Sequence, residues 1–221
     1  MENVKVRVIL APRMQPFDES MDSLTIAAQF AVANGFGVKI TKVRRGCPGF
    51  INYGPAMAQC IAEGDTHLFV AADDVIFPHD AIVRLVNDDK DIVNGIYRKN
   101  TVYQLTPANY SETWDEFAEK FKTGGLHETK FCAAHSLTIK VSALEKMMAD
   151  YPELAYKVGD ETQYALFMPM IRDGICHQDD WAFSIRARDS GFTLWDDYSC
   201  KLKHFCYDFL GFEGLEQKEG T

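Results

Sequence analysis

The chain has 221 residues, of which 47% are hydrophobic and 12% are aromatic. This is enough apolar surface to bury one large core, so we expect one domain over residues 1–212 and a flexible tail over residues 213–221. The formal net charge of −9 argues against a broad basic surface for nucleic acid or anionic lipid. No apolar run is long enough to span a bilayer and no signal sequence is visible at the N-terminus, so we expect a cytoplasmic protein.

The first half of the chain alternates strand and helix patterns. Residues 4–11 alternate valines with charged residues and then become apolar, which predicts a first strand that ends at Pro12. A helix follows, for which Ser20 is the expected N-cap and Asn34-Gly35 the expected end. Residues 38–43 form the next predicted strand. The order strand, helix, strand predicts a right-handed crossover and the beginning of a parallel sheet.

The middle of the chain repeats this alternation. A second helix is predicted over residues 55–63. Residues 68–72 are continuously apolar, which is typical of a strand covered on both faces. Pro78 suits the first turn of the helix that follows, and residues 92–97 form another predicted strand.

The second half predicts a helix over residues 114–121, a strand over 131–139, a helix over 142–148 and a last helix from Asp179 to Gly191. No internal repeat is visible. The pattern as a whole predicts an α/β fold, with a mostly parallel central sheet flanked by helices.

Two adjacent carboxylates, Asp73 and Asp74, directly follow the buried strand 68–72. In open α/β sheets, ligands bind at the carboxyl ends of the strands. Such carboxylates are costly to bury without compensation, and a hard divalent ion that bridges substrate phosphates would compensate them. The alternative is that both aspartates cap the following helix.

A second acidic pair, Asp179 and Asp180, begins the last predicted helix. Acidic residues often occupy the first turn for the helix dipole alone, but the same position keeps a carboxylate ionised, as a general base requires. His204 lies in an apolar stretch that predicts a strand, where a histidine is either a core residue or a ligand.

Taken in order, these pieces resemble the short, single-domain, family-2-like glycosyltransferases of the A fold (GT-A) that are common in bacterial and phage genomes. The resemblance extends from about Val4 to Gly211 and implies a GT-A-like (Rossmann-like) domain. The stretches that carry it are residues 66–78, 89–97, 179–183 with Gly191, and 202–204.

The resemblance implies a metal site. Asp74 takes the place of the last aspartate of the D-x-D motif, which binds the metal that carries the nucleotide diphosphate. Ala72 replaces the first aspartate of the motif, and Asp73 occupies its middle position. His204 matches the histidine that often completes the metal shell, and the implied cofactor is Mn2+ or Mg2+.

The resemblance also implies a catalytic pair and a donor site. Asp179 and Asp180 match the family's acidic pair, whose second member is the usual base in inverting enzymes. Pro12 joins Asp73 and Asp74 as a candidate donor contact. The implied donor is a UDP- or GDP-linked sugar for hexosyl or pentosyl transfer, and the acceptor is a glycan, a lipid-linked saccharide, a protein or a modified DNA base.

Arg98 and Lys99 lie just beyond a predicted strand end. Basic side chains at such a position are candidates to contact the donor phosphates, and a solvated basic pair is the alternative.

Two segments depart from the family pattern. Tyr53-Gly54 stands where the family has Arg-Asn, and Cys132-Ala133-Ala134-His135 replaces a glycine-rich turn near the acceptor. These departures, with Ala72, favour as an alternative a degenerate sugar-binding or protein-binding domain. A nucleotidyltransferase is the other alternative, but it would normally have a glycine-rich loop after the first strand, and residues 11–16 contain no glycine.

Overall fold

The structure is a computed structural model that describes residues 4–10, 17–42, 49–99, 104–105, 114–206 and 208–210. The predicted tail, residues 213–221, lies outside the described residues. The described strands are β1 (Lys5–Leu10), β2 (Gly37–Lys42), β3 (His67–Ala71), β4 (Val75–Ile76), β5 (Ile92–Ile96), β6 (Arg98–Lys99), β7 (Gln104–Leu105), β8 (Leu126–Thr129), β9 (Ser136–Lys140), β10 (Ala155–Val158), β11 (Glu161–Tyr164), β12 (Met170–Arg172), β13 (Ile175–His177), β14 (Leu194–Lys201), β15 (Lys203–Cys206) and β16 (Asp208–Leu210). The described helices are α1 (Asp18–Ala33), α2 (Gly49–Ala62), α3 (Ala81–Asn87), α4 (Trp114–Thr123), α5 (Val141–Asp150), a 3-10 turn (Pro152–Leu154) and α6 (Asp179–Asp189).

Among the described strands, 7 form the central sheet in the order β2-β1-β3-β9-β5-β14-β8. β2, β1, β3, β5 and β14 run in one direction, while β9 and β8 run in the other. The predicted mostly parallel α/β sheet is therefore confirmed. The chain passes from β1 to β2 on one side and then to β3 on the other, so a topological switch point lies between β1 and β3.

Helices cover both faces of the sheet. α2, α5 and α6 pack on one face, where Leu68 and Val70 of β3 join their core, and α1 and α3 pack on the other, with Phe69 and Ala71. All four side chains are buried, as the continuous apolar run predicted. Among the described residues, no helix combines the length and apolarity required to cross a membrane.

Three predicted helix starts are wrong. α2 begins at Gly49 rather than at residue 55, so that Pro55 lies inside the helix. α1 begins at Asp18, so Ser20 is a buried residue inside the helix rather than its N-cap. The cap position belongs to Phe17, whose backbone N–H donates to the carbonyl of Asp73 at 3.2 Å. Pro78 lies before α3 rather than in its first turn, since the short strand β4 and a turn precede the helix.

The predicted strand over residues 131–139 is shorter than expected. β9 begins only at Ser136, and a connection of residues 130–135 joins it to β8. Two hairpins, β10–β11 and β12–β13, lie between α5 and α6 and were not predicted. This arrangement places the 130–135 connection at the carboxyl end of β3, because β9 runs antiparallel to β3 and Ser136 pairs with Ala71.

Candidate active site

Asp73 and Asp74 lie directly beyond the carboxyl end of β3, beside the switch point. Asp73 is buried and Asp74 is half-buried. The carbonyl of Asp73 accepts the bond from Phe17, and the carbonyl of Asp74 accepts a hydrogen bond from the N–H of Phe205 at 2.7 Å. The backbone of this pair is therefore held by the start of α1 and by β15.

The two aspartates do not cap the next helix. α3 begins at Ala81 with Asp80 at its N-cap position, and β4 separates both aspartates from it. Helix capping, the structural alternative for these residues, is therefore wrong. The side chain of Asp74 faces two histidines instead.

Asp74, His135 and His204 form a cluster of candidate metal ligands. β4 pairs antiparallel with β15 and sets His204 opposite Val75, next to Asp74. His204 Nε2 lies 3.4 Å from Asp74 Oδ2, and His135 Nε2 lies 3.9 Å from Asp74 Oδ1. One ligand atom from each residue lies within 4.8 Å of the others. The structure thus brings together the predicted pair, Asp74 and His204, and adds a third residue.

Sequence reasoning missed His135, which it treated only as part of a turn that departs from the family pattern. The carbonyl of His135 accepts a hydrogen bond from the N–H of Ala72 at 3.2 Å, so this histidine lies beside the residue that follows β3. The antiparallel pairing of β9 with β3 creates this proximity, and no spacing along the chain signals it.

The ligand atoms that the cluster offers suit a divalent cation. His135 and His204 are buried, and both direct an imidazole nitrogen at the carboxylate of Asp74. Imidazole nitrogen suits transition metals and carboxylate oxygen suits Mg2+ and Mn2+. A set of two imidazoles and one carboxylate therefore suits a divalent metal cation.

Asp179 and Asp180 occupy the first turn of α6 and are half-buried. Asp179 Oδ1 accepts a hydrogen bond from the N–H of Asp180 at 3.0 Å, and Asp180 Oδ1 accepts one from the N–H of Trp181 at 2.9 Å. Both carboxylates thus bind backbone N–H groups at the helix start, where the helix dipole favours a negative charge. These bonds also hold each carboxylate in a defined orientation.

Ser184 connects this helix to the segment that carries His135. Its hydroxyl donates to the carbonyl of Asp180 at 2.8 Å and accepts a hydrogen bond from the N–H of Cys132 at 3.0 Å. Phe131 stacks on Trp181, with ring centroids 4.3 Å apart. The first turns of α6, which carry the acidic pair, are therefore packed against the 130–135 connection, whose last residue is the third candidate ligand.

The predicted donor contacts are only partly described. Pro12 lies outside the described residues. Arg98 and Lys99 form β6, which pairs with β7 and contacts β15, the strand of His204. Only the backbone of these two residues is described. Their role toward phosphate stays a prediction.

The departure at Tyr53-Gly54 has a structural reason. Both residues lie in α2, where Tyr53 is buried against Phe167 with ring centroids 4.4 Å apart. A Cβ atom added to Gly54 would lie 2.3 Å from the hydroxyl of Tyr156 in β10. The β10–β11 hairpin thus occupies the space into which an asparagine at position 54 would extend.

A cavity of about 620 Å³ opens elsewhere, near the amino-terminal ends of β1 and β3. His67, Asp89 and Lys140 are among the residues that line it, and none of the candidate site residues does.

No protein-family model and no curated protein matches the chain. Among solved structures, the chain is similar to GalNAc-T7, in a crystal structure with UDP, GalNAc and Mn2+. The match has a TM-score of 0.50 at 11% identity and covers 92% of this chain and 44% of that chain. This chain therefore spans less than half the length of GalNAc-T7. The likeness shows the fold: the chain has the α/β architecture of the GT-A glycosyltransferases, as its sequence predicted.

Proposed function

We propose that the protein is a metal-dependent glycosyltransferase that moves a sugar from a nucleotide-diphosphate donor to an acceptor hydroxyl. The observation that carries this proposal is the cluster of Asp74, His135 and His204 at the carboxyl end of β3, beside the switch point of a GT-A sheet. Clefts at such points are where open α/β sheets bind their ligands. The UDP and Mn2+ in the GalNAc-T7 structure support a UDP-linked sugar as the first donor to test, ahead of a GDP-linked one.

Asp74, His135 and His204 would hold the cation, with Mn2+ favoured over Mg2+ by the two imidazoles. A bound divalent cation would offset the negative charge that develops on the departing diphosphate. The backbone hydrogen bonds from Phe17 to Asp73 and from Phe205 to Asp74 support this role, because they fix the chain that carries the Asp74 carboxylate.

Asp180 would act as the general base of an inverting displacement. The acceptor oxygen attacks the anomeric carbon while the bond from that carbon to the diphosphate oxygen breaks, and the acceptor proton passes to Asp180. The hydrogen bond from the Trp181 N–H orients the carboxylate of Asp180. Asp179 supports it by accepting the N–H of Asp180.

A thermal-shift panel of nucleoside diphosphates and triphosphates, with and without Mn2+, tests the proposal. A ligand that binds the folded state raises the unfolding midpoint. We expect UDP or GDP to raise it only when Mn2+ is present. A response to triphosphates alone would favour a nucleotidyltransferase, and no response to any nucleotide would favour a degenerate binding domain.

The variant Asp74→Asn sharpens this test. It removes the charge of the candidate ligand while keeping its shape, so the metal-dependent shift should be lost and the fold retained. Asp160→Asn makes the same change in an exposed hairpin turn and should leave the shift unchanged. If Asp74→Asn responds to UDP and Mn2+ as the unmodified protein does, Asp74 is not part of the site.

The catalytic role of Asp180 is tested separately. Once a donor and acceptor are found, Asp180→Asn should lower kcat by roughly 10²–10⁴-fold, the usual contribution of a general base, without weakening donor binding. The anomeric configuration of the product, measured by NMR, should be inverted. Retention of configuration would remove Asp180 from the role of base.

A further inference from the structure

Tyr97 is packed between the two candidate imidazole ligands and the core. It directly follows β5 and is only 1% exposed. Its ring centroid lies 4.2 Å from that of His135, with an interplanar angle of 31°, and 5.2 Å from that of His204, with an angle of 27°. One aromatic side chain therefore contacts both histidines.

These contacts bear on how the imidazoles are oriented. The χ2 torsion of histidine is broad, because an sp³–sp² bond lacks the three sharp staggered wells of an aliphatic side chain. Rotation about this bond moves Nε2 toward or away from Asp74. A flat ring packed at a small angle restricts that rotation, and aromatic pairs at these distances are attractive.

The three side chains come from separate parts of the chain. His135 precedes β9, His204 lies in β15 and Tyr97 follows β5, the neighbour of β9 in the sheet. β9 and β15 make no hydrogen-bonded pair with each other among the described strands. Tyr97 is thus in direct contact with both imidazoles, whose own ring centroids lie 5.7 Å apart.

We propose that Tyr97 is a positioning residue for the cation: its buried ring holds His135 and His204 with Nε2 of each facing Asp74. This inference rests on the proposed function, since it assigns a role toward the same cation site. The ring of Tyr97, and not its hydroxyl group, orients the two histidines.

Calorimetric titration of the metal-free protein with Mn2+ alone tests the inference without an activity assay. Outer partners that orient metal ligands are typically worth 10–100-fold in affinity. We expect Tyr97→Leu, which removes the ring, to bind Mn2+ about tenfold more weakly than the unmodified protein. Tyr97→Phe, which keeps the ring, should bind Mn2+ as the unmodified protein does.

Tyr198→Leu is the matched control. Tyr198 is 2% exposed, and its ring contacts His127 and Phe117 rather than the candidate ligands. This variant should lose stability without losing Mn2+ affinity. An equal loss of affinity in Tyr198→Leu would show a general effect of core damage and would overturn the inference.

The remaining outcomes separate this inference from the function on which it rests. Tight Mn2+ binding by Tyr97→Leu overturns the positioning role alone. Weak binding by both Tyr97→Phe and Tyr97→Leu also overturns it, because the hydroxyl and not the ring would then matter. If the unmodified protein binds no Mn2+, the cation site itself is wrong, and the proposed function fails with it.

Discussion

The ionised carboxylate of Asp88 lowers the free energy of unfolding at neutral pH. It stands at the C-cap of α3, where the helix dipole disfavours a negative charge. Burial, together with the nearby Asp197, raises the pKa of Asp88 to about 6 from 3.8. The folded state therefore binds more protons than the unfolded state between these two pH values, so this residue's contribution to stability falls as pH rises through that window.

We expect Asp88→Asn to stabilise the protein above pH 6 and to have little effect below pH 4. Asparagine removes the charge that is costly in the folded state, and because the site is half exposed we expect a gain of about 1 kcal/mol at pH 7.5. Urea unfolding at pH 7.5 and pH 4 measures both values. Asp160→Asn in the exposed hairpin turn should change neither, and an equal gain for Asp88→Asn at both pH values would rule out this explanation.

At the scale of elements, α2 packs closely against the β10–β11 hairpin. The two meet where Gly54 faces Tyr156. Burial raises the pKa of the Tyr156 hydroxyl, and no hydrogen-bond partner for that hydroxyl is found among the described residues. The absence of a side chain at Gly54 thus permits the close packing of the hairpin on the helix.

We expect Gly54→Ala to destabilise the protein by roughly 1–3 kcal/mol, the typical cost of overpacking. Helix propensity alone predicts the opposite sign, a gain of about 0.5–1 kcal/mol. Tyr156→Phe removes the nearest atom that the new Cβ would meet, while Tyr156 Cζ and the carbonyl oxygen of Tyr164 remain 3.2 Å away, so the double variant should recover part of the loss. A double-mutant cycle from denaturant unfolding measures this coupling. Additive effects of the two changes would show that the clash is not the cause.

The elements that the sequence predicted well are those whose own side chains determine them. β3 is continuously apolar, and the predicted and observed strands differ by one residue at each end. α1 ends at Ala33, with Asn34 at its C-cap, and the following Gly35 has a φ of +86°, a conformation that glycine adopts without strain. β4, β12 and β13 contain only two or three residues each, too few for a periodic pattern, and they exist because a partner strand pairs with them.

At the scale of the whole molecule, the candidate cation site joins distant parts of the fold. Asp74 follows β3, His135 precedes β9 and His204 lies in β15. A cation bound there would be released when any of these segments unfolds. Binding to the folded state alone adds RT ln(1 + [L]/Kd) to the free energy of unfolding.

We therefore expect the free energy of unfolding to rise by about 1.4 kcal/mol for each tenfold increase in Mn2+ above its Kd. Mg2+ should stabilise less at the same concentration, because two of the three candidate ligands are imidazoles. Denaturant unfolding across a series of Mn2+ concentrations, starting from protein treated with a chelator, checks both statements. In His135→Ala, the free energy of unfolding should rise much less with Mn2+ concentration. If the free energy of unfolding of the unmodified protein does not depend on Mn2+, the proposed cation site is wrong.

The sequence by itself determined the α/β class, the order along the chain of the six described α-helices and of β1, β2, β3, β5 and β9 of the central sheet, and the pairing of Asp74 with His204 as candidate ligands, the last through resemblance. These features follow from local periodicity and from motifs that are continuous in the chain. Only the tertiary structure decided that His135 joins the cluster, that Tyr97 packs against both histidines and that Tyr156 packs against Gly54. Each of these contacts joins residues that are far apart in the chain. They meet because of the order in which the strands pair and the hairpins pack, and the burial of apolar surface over the whole sheet determines that order.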